Sequence, residues 1–335
     1  MRSGQKSELV QLLEASTTVE CPDVDVKVFD AAAVVNMLPP GKSKTFKDYA
    51  TSIFLNYVIK QAKNVNRTDL IWDRYFENSL KRSTREGRGS GVRRRVCDNA
   101  SIPVNWKSFL RSDENKNELF HYLAESVAAI QLPGVEVITT SGVNMLSPSP
   151  VEIEGLTTCN HEEADTRIFI HVKHASARGL KKVLIRTVDT DVVVLAIAYA
   201  KQLELQELWI AFGVGHRFRY LPIHKITNCL TQQQCEALPF FHAVILFHTL
   251  QEKERRQLSK YGSQILKSLK SSVSCHLLKI QSLKNNVVSW SDLWFSCTAV
   301  HVPTRRSTKP DKLYLRNVIK ALRIFLQLKQ LLHST

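Results

Sequence analysis

The feature that most constrains the fold is a set of carboxylates at the borders of apolar segments. The residues concerned are Glu162, Glu163, Asp165, Asp189 and Asp191. The first three lie at the start of a helical apolar pattern over 158–174, and the last two follow an apolar strand pattern that begins at Val183. In an α/β fold, helix starts and strand ends meet at one edge of the sheet, where sites form. Converging carboxylates cannot all stay ionised without a cation, so the pattern predicts a divalent metal site.

Short apolar runs alternate with helical patterns from residue 24 to residue 243. The runs predict strands at 26–29, 69–72, 135–139, 183–186 and 208–212. Strands that alternate with helices are typical of a parallel sheet covered on both faces. We therefore predict a three-layer α/β/α domain with a mainly parallel sheet. Asp30 and Asp73 follow the first two strands and add two carboxylates to the same edge.

A structural role would account for any one of these acidic residues. Asp and Glu favour helix N-termini, and Asp is common in the turn after a strand. Their recurrence in strand-end and helix-start order favours metal binding, because phosphodiester hydrolysis can use two Mg²⁺ or Mn²⁺ ions about 4 Å apart, held by oxygen ligands. Zinc is disfavoured because the seven cysteines include no CxxC pair; they are expected to be reduced thiols.

A basic segment, 78–95, follows Asp73 and contains Lys81, Arg85 and Arg88. Such a run forms either a solvated helix face or a flexible arch that holds a phosphate backbone. Interspersed glycines suit the arch, but the sequence leaves both alternatives open.

The net charge of +15 is unevenly distributed. Residues 244–335 hold 16 of the 46 Lys and Arg but only 4 of the 31 Asp and Glu, so most of the excess lies in the last quarter. This break predicts an N-terminal extension (1–23), an α/β domain (24–243) and an irregular helical tail (244–335). No apolar run is long enough to span a bilayer, and the first ten residues lack a signal-peptide pattern. We therefore expect a soluble intracellular protein, nuclear or cytoplasmic, without membrane partners.

The order of these motifs resembles the PIN-like 5′-nuclease superfamily, most closely its flap endonuclease branch. The resemblance covers about residues 24–243 and rests on Val-Phe-Asp30, Trp-Asp73-Arg-Tyr with the basic segment, Glu163-Ala-Asp165 and Thr-Val-Asp189-Thr-Asp191. The motifs His-Glu-Glu-Ala-Asp-Thr-Arg (161–167) and Leu-Trp-Ile-Ala-Phe-Gly (208–213) also resemble a group of repetitive, mobile-element-associated animal proteins.

This resemblance implies roles for individual residues. The ligands of one Mg²⁺ ion would be Asp30, Asp73, Asp165 and Glu163, with Glu162 as the alternative to Glu163. The ligands of the second ion would be Asp189 and Asp191. The phosphate-binding residues would be Lys81, Arg85 and Arg88. The implied activity is structure-specific hydrolysis of nucleic acid, DNA rather than RNA.

One residue of the related pattern is missing. The related proteins continue after Phe-His-Ala-Val with Thr-Gly-Cys-Asp-Thr, whose Asp would complete the second metal site. Here the same four residues, 241–244, are followed by Ile-Leu-Phe-His-Thr. We therefore expect an impaired nuclease; the alternative is a non-catalytic nucleic-acid-binding or interaction module of a decayed mobile element. A nucleotide-binding domain ranks below both, because the chain has no phosphate loop.

A shifted reading frame would explain both the missing Asp and the basic tail. Codons for 244–257 can be written so that reading from the third base encodes Asp-Thr-Val-Ser-Tyr-Phe-Ala-Gly-Lys-Gly-Lys-Lys-Thr, the continuation that the resemblance implies. The test is constrained, because the second and third bases of every shifted codon are fixed by the existing codons. We hypothesise that 244–335 is translated out of frame and is poorly ordered.

Overall fold

The computed structural model describes residues 20–75, 92–148, 156, 164–239 and 242. The chain divides into two units, and all of these residues belong to the unit formed by Gln5–Ala243 and Ile319–Thr335. The predicted tail and nearly all of the predicted N-terminal extension lie outside the described residues. Within the described part of the chain, no helix is both long and apolar enough to cross a membrane.

A seven-stranded mixed sheet forms the centre of the fold. Its strands are β1 (Val26–Asp30), β2 (Arg67–Ile71), β3 (Glu136–Ser141), β4 (Asn144–Leu146), β5 (Lys182–Thr187), β6 (Glu207–Phe212) and β7 (Arg219–Pro222). They lie in the order β4-β3-β2-β1-β5-β6-β7. The five inner strands are parallel and correspond to the five predicted strands. The edge strands β4 and β7 are antiparallel and were not predicted, because three and four residues are too few to show an apolar pattern.

Helices connect the strands. They are α1 (Ala31–Met37), α2 (Phe46–Asp48), α3 (Asn56–Gln61), α4 (Trp106–Phe109), α5 (Asp113–Ala128), α6 (Ala164–Ala177), α7 (Thr190–Tyr199) and α8 (Ile223–Asn228). A π-helical segment, Tyr49–Leu55, joins α2 to α3. Thr45 starts α2 with a capping box, in which its hydroxyl accepts from the amide of Asp48 and the Asp48 carboxylate accepts from the amide of Thr45.

The buried apolar residues form two large clusters. Alternate residues of β1 divide between them, because successive side chains of a strand point to opposite faces. Val26 and Val28 lie in the cluster that contains the apolar residues of α6 and α7. Phe29 lies in the cluster that contains the π-helical segment and α5.

The most apolar run of the chain, 192–200, is compatible in sequence with a buried strand or a strand-to-helix passage. The structure shows that residues 190–199 form α7, with every residue from Val192 to Tyr199 buried. Apolar residues on every side remove the periodicity that distinguishes a buried helix from a buried strand.

The connections place a switch point between β1 and β5. From β1 the chain moves outward through β2 and β3, then returns to place β5 on the other side of β1 and continues to β6. Helices that leave β1 and β5 therefore diverge, and in sheets of this kind binding sites form beyond the carboxyl ends of the strands at such a point. Asp30 ends β1, and Asp189 follows β5 by two residues.

Candidate metal centre

Asp30 is the last residue of β1 and the N-cap of α1. Its Oδ1 accepts a hydrogen bond of 3.0 Å from the amide of Ala33, and its Oδ2 accepts one of 3.2 Å from the hydroxyl of Thr187. The residue is only 8 % exposed. The predicted strand-end carboxylate therefore points into the protein rather than into solvent.

Asp189 occupies the equivalent place after β5. It caps α7, where its Oδ1 accepts from the amide of Asp191 at 2.9 Å. Its own amide donates to the Thr187 hydroxyl at 3.0 Å. The buried Thr187 hydroxyl thus connects Asp30 with the backbone of Asp189 across the switch point.

Asp73, two residues beyond β2, reaches the start of α6. Its Oδ1 accepts from the amide of Ala164 at 3.0 Å, and its Oδ2 accepts from the Tyr75 hydroxyl at 3.2 Å. Asp165 lies in the first turn of the same helix. Three strand ends and one helix start therefore contribute carboxylates to one region.

The tightest group in this region is formed by Asp165, Asp189 and Asp191. One carboxylate oxygen from each lies within 4.8 Å of those of the other two, and all three residues are half-buried. Such spacing suits oxygens that share one cation. The structure thus brings Asp165 to the two residues that the resemblance assigns to a second ion, and the division of ligands between two ions stays a prediction.

Five predicted site residues lie outside the described part of the chain. They are Lys81, Arg85, Arg88, Glu162 and Glu163. The choice between Glu162 and Glu163, and the phosphate contacts of the basic segment, therefore stay predictions.

The electrostatics of the site centre on Asp30. Burial raises the pKa of its carboxyl, and the neighbouring charges of Asp73 and Asp189 raise it further. The hydrogen bonds from Ala33 and Thr187 offset part of this effect, and the resulting pKa is about 7. The carboxylates therefore converge closely enough to oppose the ionisation of Asp30.

His242 contacts the same group from a later part of the chain. Its Nε2 lies 2.7 Å from Oδ1 of Asp191, and its side chain is 6 % exposed. Sequence reasoning gave His242 no role, although it lies in the Phe-His-Ala-Val run where the resemblance ends. Thr187 and Tyr75 were also missed, because their only sequence signal is adjacency to Asp189 and Asp73.

A second buried polar group lies on α6 and β2, away from the triad. Arg67 donates two hydrogen bonds to Asp69, at 2.7 and 2.6 Å, and Nδ1 of His171 lies 2.7 Å from the same carboxylate. The side chains of all three residues are fully buried or nearly so. Burial alone would raise the pKa of Asp69, but Arg67 and His171 outweigh it and hold the value at about 2. This network anchors α6 to the sheet and thereby positions Asp165 at its first turn.

A cavity of about 290 Å³ opens beside Asp73. Its walls comprise Trp72, Asp73, Arg74, Tyr75, Asn117, Phe120, His121, Thr140, Ser141 and Gly142. These residues come from the carboxyl ends of β2 and β3 and from one face of α5. The cavity therefore adjoins the acidic group at Asp73.

No protein-family model and no curated protein matches the chain.

Proposed function

We propose that this domain binds divalent cations at its acidic edge and is built for hydrolysis of phosphodiester bonds in nucleic acid. The observation that carries the proposal is the triad of Asp165, Asp189 and Asp191, whose oxygens lie within 4.8 Å of one another. The raised pKa of Asp30, caused by burial and by Asp73 and Asp189, supports a site that is incomplete without positive charge. An all-carboxylate donor set favours Mg²⁺ or Mn²⁺ over softer metals.

The residues divide into ligands and groups that position them. Asp165, Asp189 and Asp191 would hold one cation, and Asp30 and Asp73 would contribute to a second. A bound Mg²⁺ ion supplies an activated water and neutralises charge on a phosphate.

The positioning groups belong to the chain itself. Thr187 fixes Asp30 relative to Asp189, and the Tyr75 hydroxyl and the Ala164 amide fix Asp73. Ligating carboxylates in metal sites are commonly held by such hydrogen bonds.

We further propose that the layers are those of a PIN-like α/β/α fold. The two apolar clusters that share β1 support this arrangement, because they require helices against opposite faces of the sheet. The sheet order with its switch point between β1 and β5 is compatible with it.

We expect this chain to be a slow enzyme. The carboxylate that the related proteins place after Phe-His-Ala-Val is missing, and here His242 of that run contacts Asp191. One fewer anionic ligand weakens the hold on a cation.

A second candidate is a non-catalytic nucleic-acid-binding module. The observation in its favour is that the acidic side chains already have partners within the protein. Asp30, Asp73, Asp189 and Asp191 each accept or share at least one hydrogen bond with a backbone amide or a side chain. Capping and turn contacts of this kind would preserve carboxylates in a domain that no longer cleaves.

Titration of Mg²⁺ or Mn²⁺ with a labelled flap DNA separates the two candidates. If the domain is a nuclease, cleavage requires the metal ion, and Asp189→Ala lowers the cleavage rate by at least about a hundredfold. Loss of a group that only supports a metal ligand already costs up to roughly a hundredfold. Asp23→Ala, at an exposed position away from the site, is the matched control and retains cleavage. Binding without cleavage, unaffected by metal, would support the module instead.

A further inference from the structure

The cavity beside Asp73 has a largely aromatic wall. Trp72, Tyr75 and Phe120 contact one another in series, with ring centroids 4.8 Å apart for Trp72 and Phe120 and 6.1 Å apart for Tyr75 and Phe120. Trp72 and Phe120 are almost fully buried, so they form the rigid base of the wall. The ammonium of Lys116, which does not line the cavity, lies 3.8 Å from the Tyr75 ring centroid and helps to fix that ring.

The remaining walls bring hydrogen-bonding groups. The Asn117 amide carries both a donor and an acceptor and donates to the carbonyl of Tyr75 at 3.2 Å. One turn further along α5, Nδ1 of His121 lies 2.6 Å from the Ser141 hydroxyl, and the His121 side chain is 62 % exposed. The cavity therefore combines aromatic surface with polar groups, which is the composition of pockets that bind planar heterocycles.

The cavity and the acidic site share a residue. Asp73 lines the cavity, and its Oδ2 accepts the hydrogen bond from Tyr75, one of the three rings. A phosphate held at the acidic site would therefore have its neighbouring nucleoside within reach of this wall. The cavity volume of about 290 Å³ suits one such group rather than an extended duplex.

We propose that this cavity binds the nucleobase next to the phosphate that the acidic site holds. The base lies against the aromatic wall of Trp72, Tyr75 and Phe120, while Asn117 and His121 contact its edge. The proposal rests on the proposed function, because the position of the phosphate is taken from the acidic site. It specifies the substrate as a nucleic acid strand with a base at one defined position beside the cleaved bond.

A scan with abasic nucleotides tests this in the full chain. Labelled flap DNAs, each with one abasic nucleotide at a different position around the cleaved phosphate, are compared by their kcat/KM. One position is expected to matter, with a loss of about five- to a hundredfold, as found for removal of a base–aromatic contact. In Tyr75→Ala, an abasic nucleotide at that position no longer lowers kcat/KM, because the intact substrate has already lost its contact with the ring.

Two variants control for indirect effects. Tyr75→Phe keeps the ring and removes only the hydroxyl that contacts Asp73, so it lowers the rate for all substrates but keeps the abasic discrimination. Tyr122→Ala removes a half-buried tyrosine on α5 that donates a hydrogen bond to Asp98 and lies outside the cavity, and it also keeps the discrimination. If Tyr75→Ala lowers kcat/KM equally for intact and abasic DNA, or if no abasic position matters, the cavity proposal is wrong although the nuclease proposal stands.

A binding measurement covers the case in which the chain cleaves no DNA. That result would refute the nuclease proposal, and fluorescence anisotropy of the same labelled DNAs in Mg²⁺ would then decide on the cavity. The base site is supported if one abasic DNA binds the wild type about five- to a hundredfold more weakly than intact DNA does. This loss of affinity should not add to the loss caused by Tyr75→Ala, because both remove the same contact. Equal binding of intact and abasic DNAs refutes it.

Discussion

Replacement of Asp30 by Asn should stabilise the metal-free protein at neutral to alkaline pH. The carboxyl is buried beside Asp73 and Asp189, and its pKa is raised from 3.8 to about 7. A raised pKa means that the folded state binds the proton more tightly than the unfolded state. The contribution of Asp30 to the free energy of unfolding is therefore highest below pH 4 and falls as the pH rises toward 7 and above. Asn places an uncharged amide at this position and so removes the electrostatic repulsion with Asp73 and Asp189.

The magnitude follows from the pKa and from the two hydrogen bonds. A pKa change of this size corresponds to about 4 kcal/mol at pH 8, since each tenfold change in proton affinity equals about 1.4 kcal/mol. Asn caps a helix about as well as Asp, so the bond from the Ala33 amide is retained. The hydrogen bond that the Thr187 hydroxyl donates to Oδ2 is lost, which lowers the free energy of unfolding by about 1 kcal/mol. The net gain should be about 3 kcal/mol at pH 8, with a loss of about 1 kcal/mol near pH 4.

Urea unfolding in EDTA at both pH values measures this effect. Asp23→Asn, at an exposed position, is the control and should change the free energy of unfolding by less than about 0.5 kcal/mol. Added Mg²⁺ should stabilise the wild type in proportion to its binding and stabilise Asp30→Asn less. The inferred repulsion between the carboxylates is wrong if Asp30→Asn is less stable than the wild type at pH 8. It is also wrong if the substitution changes the free energy of unfolding by the same amount at both pH values.

Three other outcomes are expected. Asp69→Asn leaves Arg67 buried without its counter-ion and should lower the free energy of unfolding by about 3–5 kcal/mol in urea. Because the pKa of Asp69 is about 2, the wild type alone should also lose about 2 kcal/mol as the pH falls from 4 to 2; a pH-independent stability difference would contradict this. His242→Ala should weaken Mg²⁺ binding about 10- to 100-fold in calorimetry, because His242 positions Asp191; unchanged affinity would refute that role. Sequencing of the transcript across the codons for 242–249 should reveal an insertion or deletion relative to sibling copies, and an intact frame would exclude the shifted-frame hypothesis.

The inner sheet was predictable because each of its strands contains a short apolar segment bounded by polar residues. Five strands were expected, and all five form the parallel core. The helix 190–199 was not distinguishable from a strand, because every residue from Val192 to Tyr199 is buried. The edge strands β4 and β7 were missed because so few residues carry no recognisable period.

The candidate site was predictable only as a collection of acidic residues. Asp30, Asp73, Asp165, Asp189 and Asp191 were identified by their places after strands and at a helix start. Their partners were not, because hydrogen bonds such as those of Thr187, Tyr75 and His242 depend on side-chain directions rather than on sequence position. The cavity beside Asp73 gave no sequence signal either, since residues of two strand ends and α5 form its walls.

The sequence alone determined the kinds of element and the chemistry available at their ends: apolar strands, amphipathic helices and carboxylates that favour a hard cation. These follow from local properties of the chain, namely hydrophobic periodicity and the preference of acids for helix starts and turns. Only the tertiary structure decided that β5 returns beside β1, and therefore that Asp30 and Asp189 share the Thr187 hydroxyl. Strand order depends on contacts between residues more than a hundred positions apart, which a local pattern does not encode.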